Sequence, residues 1–356
     1  MLYRTYRPKG FSEVVGQEHI VRTLQGALET GRIGHAYLFA GPRGTGKTTL
    51  ARIYAKALNC AKFGAAGAVV PCNECPACLA VNENRSLDLL EIDAASNRGI
   101  DEIRNLKESA ATAASGGGYK VFLIDEVHML TKDAFNALLK VLEEPPSHVV
   151  FILATTEPHK ILPTVLSRVQ RFDFKRLTPG EIVSKLKTVA DSERIQISAD
   201  GLAAIAASAD GALRDAEVSL TKIRTIIPSG PISLEQVNQA LGLIPHAYHP
   251  EFLHLLLEND KPAAVAFLHK IHDAGIDTDH FAKEFLAYAR LVLIASVSPQ
   301  TVAAVGGQSV LDELARFTSV DQQKIIAIIR SFTAARSQIK SSPIPQLPLE
   351  LAVLQL

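Results

Sequence analysis

The stretch that constrains this chain most is Gly41-Pro42-Arg43-Gly44-Thr45-Gly46-Lys47-Thr48, which fits the spacing GxxxxGK[ST]. It follows the apolar run Ala36-Tyr37-Leu38-Phe39-Ala40 and leads into Thr49 through Leu58, a segment that reads as helix. In that order of strand, glycine loop and helix, backbone N–H groups turn inward onto an anion at a helix N-terminus. The pattern assigns Gly41, Pro42, Arg43, Gly44, Thr45, Gly46, Lys47, Thr48 and Thr49 to the phosphates of a nucleotide. Lys47 would reach the β- and γ-phosphates, and the Thr48 hydroxyl would hold Mg²⁺.

The segments downstream carry the same α/β alternation. Leu87–Ile92, Tyr119–Ile124 and Val149–Ala154 read as strands, with helices over 99–114 and Lys132–Leu142, the latter ended by Pro145-Pro146. Mostly apolar strands alternating with helices imply a parallel sheet covered on both faces. The second of these strands runs into Asp125-Glu126, and acids at the C-terminal edge of such a sheet sit where ligands bind. Asp125 would hold Mg²⁺ through water and Glu126 would polarise an attacking water, so hydrolysis is expected rather than binding alone. His128, just beyond, reads as a polar residue at a helix start. The next strand ends in Thr155-Thr156, where a hydroxyl either caps the strand or contacts a γ-phosphate. Spacing alone leaves Arg168 and Arg214 between two roles, ordinary surface arginines or cations placed where charge develops during phosphoryl transfer.

All four cysteines, Cys60, Cys72, Cys75 and Cys78, fall within the insertion at about 59–80 that follows the loop helix. A disulfide is out of place in a cytoplasmic chain, and an iron–sulfur cluster usually takes a different fourth spacing. A tetrahedral, structural zinc site with four thiolates suits the set.

Composition matters mainly for what it excludes. Lys+Arg and Asp+Glu balance at 37 each, so any DNA contact must come from a local patch or from several subunits adding theirs together. No signal peptide and no run of 18 apolar residues is present, which predicts a cytoplasmic protein with no membrane partner. The α/β pattern ends at Thr178-Pro179-Gly180-Glu181, a capping box, and everything beyond reads helical. Helices are expected at 179–191, 199–208 and 212–226, with another from Ser233 to Gly242. Longer ones follow at about 247–258, 261–273, 278–296, 320–339 and 347–356. Leu253, Leu256, Leu257, Ile325, Ile328, Ile329 and Phe332 form apolar stripes that read as bundle core before oligomer interface.

Taken together, Tyr6-Arg7-Pro8, Phe11 through Glu18, the glycine loop, Asp125-Glu126, Thr155-Thr156, Ser167-Arg168 and Gly211-Ala212-Leu213-Arg214-Asp215 resemble AAA+ clamp-loader ATPases. The four-cysteine insertion narrows the resemblance to the gamma/tau branch of bacterial DNA polymerase III. It implies an α/β P-loop AAA+ domain with a parallel sheet over 1–177, a small helical lid over 178–242 and an all-α collar over 243–356. The implied function is that of an ATPase motor, which with ATP bound opens a sliding clamp onto primer–template DNA and on hydrolysis releases it. The alternatives are a branch-migration helicase of the same superfamily, expected to carry a winged helix at its C-terminus, and a non-catalytic nucleotide-binding scaffold. By the resemblance Arg7, Pro8, Val14 and Val15 pack on the adenine, and Thr156 is sensor 1. Arg168 reaches in trans into a neighbour's ATP site, and Arg214 is sensor 2; Val169 stands where the family often has cysteine. Other clamp-loader subunits in a pentameric ring, the sliding clamp and primer–template DNA are the implied partners. Arg98 and Arg104, near a helix start, suit phosphate contacts that read no sequence.

Overall fold

Alternating side chains along three strands go to opposite faces of one sheet, and apolar residues occupy both. In β1 (Ala36–Ala40), Leu38 joins one core and Tyr37 and Phe39 the other. In β3 (Lys120–Asp125) and β4 (Val149–Thr155), Phe122, Ile124, Phe151 and Leu153 face the first core, while Val121, Leu123, Val150 and Ile152 face the second. Burial on both faces requires a helical layer on each side, which is why these runs are continuous rather than alternating. The computed structural model describes residues 1–356 apart from 66, 246, 303–310, 312, 313, 318 and 319.

The sheet has five parallel strands in the order β2-β3-β4-β1-β5, where β2 is Leu89–Asp93 and β5 is Gln170–Asp173. Helices α2 (Glu18–Thr30) and α3 (Lys47–Leu58) cover one face; α5 (Ile100–Ala110) and α6 (Lys132–Glu143) cover the other. The short α1 (Leu2–Thr5) precedes them in the chain, α4 (Pro76–Asn82) lies between α3 and α5, and α7 (Pro163–Leu166) follows α6. Crossing from β1 past β4 to β3 brings the ends of all three strands side by side at the C-terminal edge. That edge is where the glycine loop, Asp125-Glu126 and Thr155-Thr156 sit.

Beyond the sheet, α8 (Pro179–Ser192) opens on the expected capping box: Thr178 Oγ1 accepts from the Glu181 N–H, and Glu181 Oε2 accepts from the Thr178 N–H at 2.7 Å. It packs with α9 (Ala199–Ser208) and α10 (Leu213–Ile226) around Ile182, Leu186, Leu202, Ile205 and Leu220. The N-terminal α1 packs on α10, so the first residues of the chain join the sheet and the helices after it. Residues 1–237 form one compact unit by this arrangement, and 238–356 form a second.

The second unit is helical: Tyr248–Leu257, Lys261–Asp273, Thr278–Val297, Gln322–Ile339 and Leu347–Gln355. Phe252 stands at its centre, with ring centroids 4.9–5.6 Å from Phe285, Phe267, Phe281 and Phe332. Leu253, Ile325, Ile328 and Phe332 are buried there, and Leu256, Leu257 and Ile329 pack against them half-buried. The stripes therefore belong to the bundle core, each buried large side chain contributing on the order of 2 kcal/mol. Among the described residues, no helix is long and apolar enough to cross a membrane.

Candidate functional site

The glycine loop begins where β1 ends. A side chain at Gly41 would stand 2.5 Å from the Phe174 carbonyl oxygen, and one at Gly44 would stand 2.8 Å from Ala212 Cβ just before α10. Gly41 is also at φ +152° and Gly44 at φ +77°, so both positions exclude any Cβ for space and for backbone. Gly46 precedes α3, whose first-turn N–H groups point into the loop with no acid nearby on that turn. Lys47 is buried, and its Nζ donates to the Gly41 and Pro42 carbonyls at 2.8 Å each. Burial lowers its pKa, against the nearby charges of Glu126 and Asp125. Thr45, also buried, donates to the Pro42 carbonyl and stiffens the loop.

Across the cleft, the Thr48 hydroxyl donates to Asp125 Oδ2 at 2.7 Å. A hydroxyl and a carboxylate held together in this way, beside a glycine loop at a helix N-terminus, are hard oxygen donors of the kind that would suit a Mg²⁺ ion. The other Asp125 oxygen accepts from the Glu126 N–H at 2.9 Å. Glu126 itself is left-handed, φ +49°, a strained conformation that turns its carboxylate sideways along the sheet edge. There it accepts from the Thr156 hydroxyl at 2.9 Å, so Thr156 engages the acid directly. His128 is almost fully buried: Nδ1 lies 2.9 Å from Thr155 Oγ1 and 3.5 Å from Glu126 Oε2, and Nε2 lies 2.9 Å from Glu157. It lies in the middle of the short helical turn Val127–Met129 rather than at a helix start, and it ties the ends of β3 and β4 together.

An open cleft extends from the loop and is lined by Arg7, Pro8, Val14, Val15, Arg43 and Arg214 in addition to the loop residues and both acids. Arg214 lies over the Tyr3 ring at 4.9 Å. Burial and the charge of Arg52 depress the pKa of Arg7, opposed by the charge of Glu91. Tyr3, Leu177, Leu213 and Glu217 complete the lining.

The four sulfurs, 60, 72, 75 and 78 by residue, lie within 4.8 Å of one another, and Cys72 and Cys78 stand 3.9 Å apart. A tetrahedral ion with ligands at about 2.3 Å needs sulfurs about 3.8 Å apart, so the donor set fits a zinc-sized ion. The cysteines are free thiols rather than disulfides. The N–H groups of Glu74 and Cys75 hold the Cys72 thiol down at about 6, whereas burial pushes Cys60 and Cys78 up. Lys56, buried beneath the cluster, donates to the Lys9 carbonyl, Asn73 and Asn82 and so ties the insertion to the N-terminal segment and α3.

The remaining sequence candidates lie apart from the cleft lining. Arg168, after α7, donates to the Thr164 carbonyl and pairs with Glu143 at 2.8 Å on the surface. Arg98 donates to the Ala95 carbonyl, and Arg104 pairs with Asp101 at 2.9 Å; both flank the exposed start of α5.

The comparisons with known proteins bear on this arrangement. Residues 16–178 match the family model for the DNA polymerase III delta subunit, and residues 232–356 match domain III of DNA polymerase III subunits gamma and tau. The whole chain aligns with the DNA polymerase III subunit tau of Bacillus subtilis at 41% identity and with that of Escherichia coli at 36%. The chain belongs to the DNA polymerase III gamma/tau family. It spans 62% and 55% of those two relatives' lengths. The gamma/tau subunit of Mycobacterium tuberculosis is 40% identical over 83% of the chain and 51% of its own length. In fold the chain is similar to the Thermotoga maritima RuvB Holliday junction branch migration motor, with a TM-score of 0.50 and 20% identity over 70% of this chain and 79% of that one. That likeness marks the AAA+ fold and nothing further.

Within this family frame, sequence reasoning missed four lining residues. Tyr3 and Leu177 stand just outside the motifs at Tyr6-Arg7-Pro8 and Thr178–Glu181, with no pattern of their own, and the packing of α1 on α10 brings Tyr3 in. Leu213 and Glu217 are four apart, on the same face of α10, beside an arginine the sequence did single out. That helical spacing was a usable signal.

Proposed function

We propose that this chain is an ATP-hydrolysing motor subunit of a bacterial replicative clamp loader. The observation that carries the reading is the convergence at one sheet edge of Lys47, the Thr48–Asp125 pair, the Glu126–Thr156 pair and Arg214. Lys47 and the loop N–H groups bind the β- and γ-phosphates, and Arg7, Pro8, Val14 and Val15 pack on the adenine. Thr48 and Asp125 hold Mg²⁺, which neutralises charge on the transferring phosphoryl group. Glu126 orients and polarises the attacking water once Thr156 releases or shares it, and Arg214 stabilises charge from the lid side. The domains of this reading are 1–177 for the ATPase, 178–242 for the lid and 243–356 for the collar.

Arg168 lies outside the cleft lining of its own chain, which supports its acting in trans on a neighbouring subunit. The neighbours would be other clamp-loader subunits in a pentameric ring, acting in the cytoplasm on a sliding clamp and primer–template DNA. Arg98 and Arg104 would contact DNA phosphates, and Cys60, Cys72, Cys75 and Cys78 would hold a structural zinc. The helical second unit and its match to gamma/tau domain III favour this reading over a branch-migration helicase. The test is ATP turnover by the chain assembled with its cognate partners, with and without primed DNA and clamp. Several-fold stimulation of the wild type, lost in Arg168→Ala while ATP still binds, is expected. Turnover indifferent to both DNA and clamp would remove clamp loading and leave the scaffold.

A further inference from the structure

Glu217 is a buried acid that the chemistry above does not use. It is 5% exposed and lines the cleft; its main-chain carbonyl accepts from Thr221, but its carboxyl takes no hydrogen bond among the described residues. Burial pushes its carboxyl up to about 7, opposed by the charges of Lys185 on α8 and Arg7 on the N-terminal segment. A buried carboxyl without a donor is costly, and a ligand that brings the donor relieves that cost.

Its place on α10 narrows which donor that is. The helix starts at the glycine loop, where Gly44 meets Ala212. Glu217 lies five residues further on, roughly 7 Å along the helix axis, and so away from the phosphates. It faces Arg7, whose chain neighbour Pro8 joins Val14 and Val15 in the apolar lining of the cleft, a surface suited to a flat base. A carboxyl there is set beside a base edge rather than a phosphate, which it would repel.

We propose that Glu217 reads the base: its carboxyl accepts a hydrogen bond from the exocyclic 6-amine of adenine, so the cleft selects ATP over purine triphosphates that lack this donor. The inference rests on the nucleotide reading of the cleft given above. It makes Glu217 a specificity residue for the substrate and gives it no part in bond cleavage.

Equilibrium competition against a fluorescent ATP analogue labelled on the ribose tests it, using the full chain with Mg²⁺. The competitors are ATP, GTP and purine riboside triphosphate, which is ATP without the 6-amine. Wild type should prefer ATP over the purine analogue by about 10- to 100-fold. Glu217→Leu should bind the two within about two-fold of each other, and Glu217→Gln, which keeps a carbonyl acceptor, should retain part of the preference. Circular dichroism establishes that the variants are folded. An unchanged preference in folded Glu217→Leu, equal binding of both nucleotides by wild type, or tighter binding of GTP than ATP would each overturn the proposal. If wild type binds no nucleotide and Lys47→Ala behaves identically, the reading of the cleft itself fails.

Discussion

The cleft at the glycine loop and the phenylalanine core of residues 238–356 both hold buried side chains, yet they are built on opposite terms. Around Phe252 the rings of Phe267, Phe281, Phe285 and Phe332 meet it at 4.9–5.6 Å within a cluster of buried apolar side chains. In the cleft, Lys47 is folded onto loop carbonyls, Glu126 is held in a left-handed conformation, Arg7 lies near other cations, and Glu217 has no donor. These groups are costly in the protein alone, and the nucleotide proposed above would offset that cost through its phosphates and its base. The contrast separates residues whose loss unfolds the chain from residues whose loss leaves it folded and inert.

Phe252→Ala should have the largest effect on stability. Truncating a fully buried Phe costs about 3–5 kcal/mol, enough to unfold or loosen the helical unit. Chemical denaturation followed by circular dichroism reads this loss, and nucleotide titration of the same variant should find the cleft still binding. Loss of ATP binding in step with the unfolding would break the contrast, because the two cores would then be one cooperative structure.

Lys47→Ala is the converse. Removing a preorganised cation from a transferring phosphoryl group should cut turnover by about 10²- to 10³-fold. The melting temperature should hold or rise, since the variant also removes a buried ammonium whose pKa burial depresses. A fall of many degrees would mean that the lysine's bonds to Gly41 and Pro42 hold the loop in shape.

Glu217 sharpens the same contrast through pH. Its carboxyl rises from an ordinary 4.5 to about 7 in the folded chain, so the folded state holds this proton more tightly than the unfolded one. Its stabilising contribution is therefore complete below 4.5 and is lost as the pH rises through about 7. Glu217→Gln should match wild type near pH 4.5 and exceed it at pH 8, by on the order of 3 kcal/mol at most. Melting curves at both pH values check this. An equal gap at the two would assign the effect to packing instead of charge.

The two regions also differed in how far the sequence disclosed them. Apolar runs revealed β1, β3 and β4 because those strands are buried on both faces. β5 escaped because Gln170-Arg171-Phe172-Asp173 is an edge strand with only one half-buried apolar residue. The helix Pro76–Asn82 was hidden within the cysteine insertion, too short to show a period. In the cleft, the loop, Asp125 and Glu126 were legible because phosphate chemistry fixes both residue type and spacing. Glu217 and His128 were not, since a polar residue on a helix reads as solvated until another element packs over it. Tyr3 needed the contact between α1 and α10, which joins the two ends of the first unit and leaves no local trace.

The smallest effect expected lies where the sheet hands over to α8. Thr178→Ala removes one half of a reciprocal cap and should cost about 1 kcal/mol. Glu181→Ala removes the other half, and because each side chain serves the other's backbone N–H, the two losses should overlap. The double variant should then cost measurably less than the sum of the singles by thermal melting. A side chain at Gly16 would meet Glu181 Oε1 at 3.0 Å, so the cap also abuts the segment ahead of α2, within the stretch that carries Val14 and Val15. Either single variant should accordingly weaken ATP binding a few-fold while leaving the Phe252 core untouched. Strict additivity with unchanged ATP affinity would reduce the cap to a local helix stop, and the lid would then owe its seating to Ala212 against Gly44 and to α1 on α10.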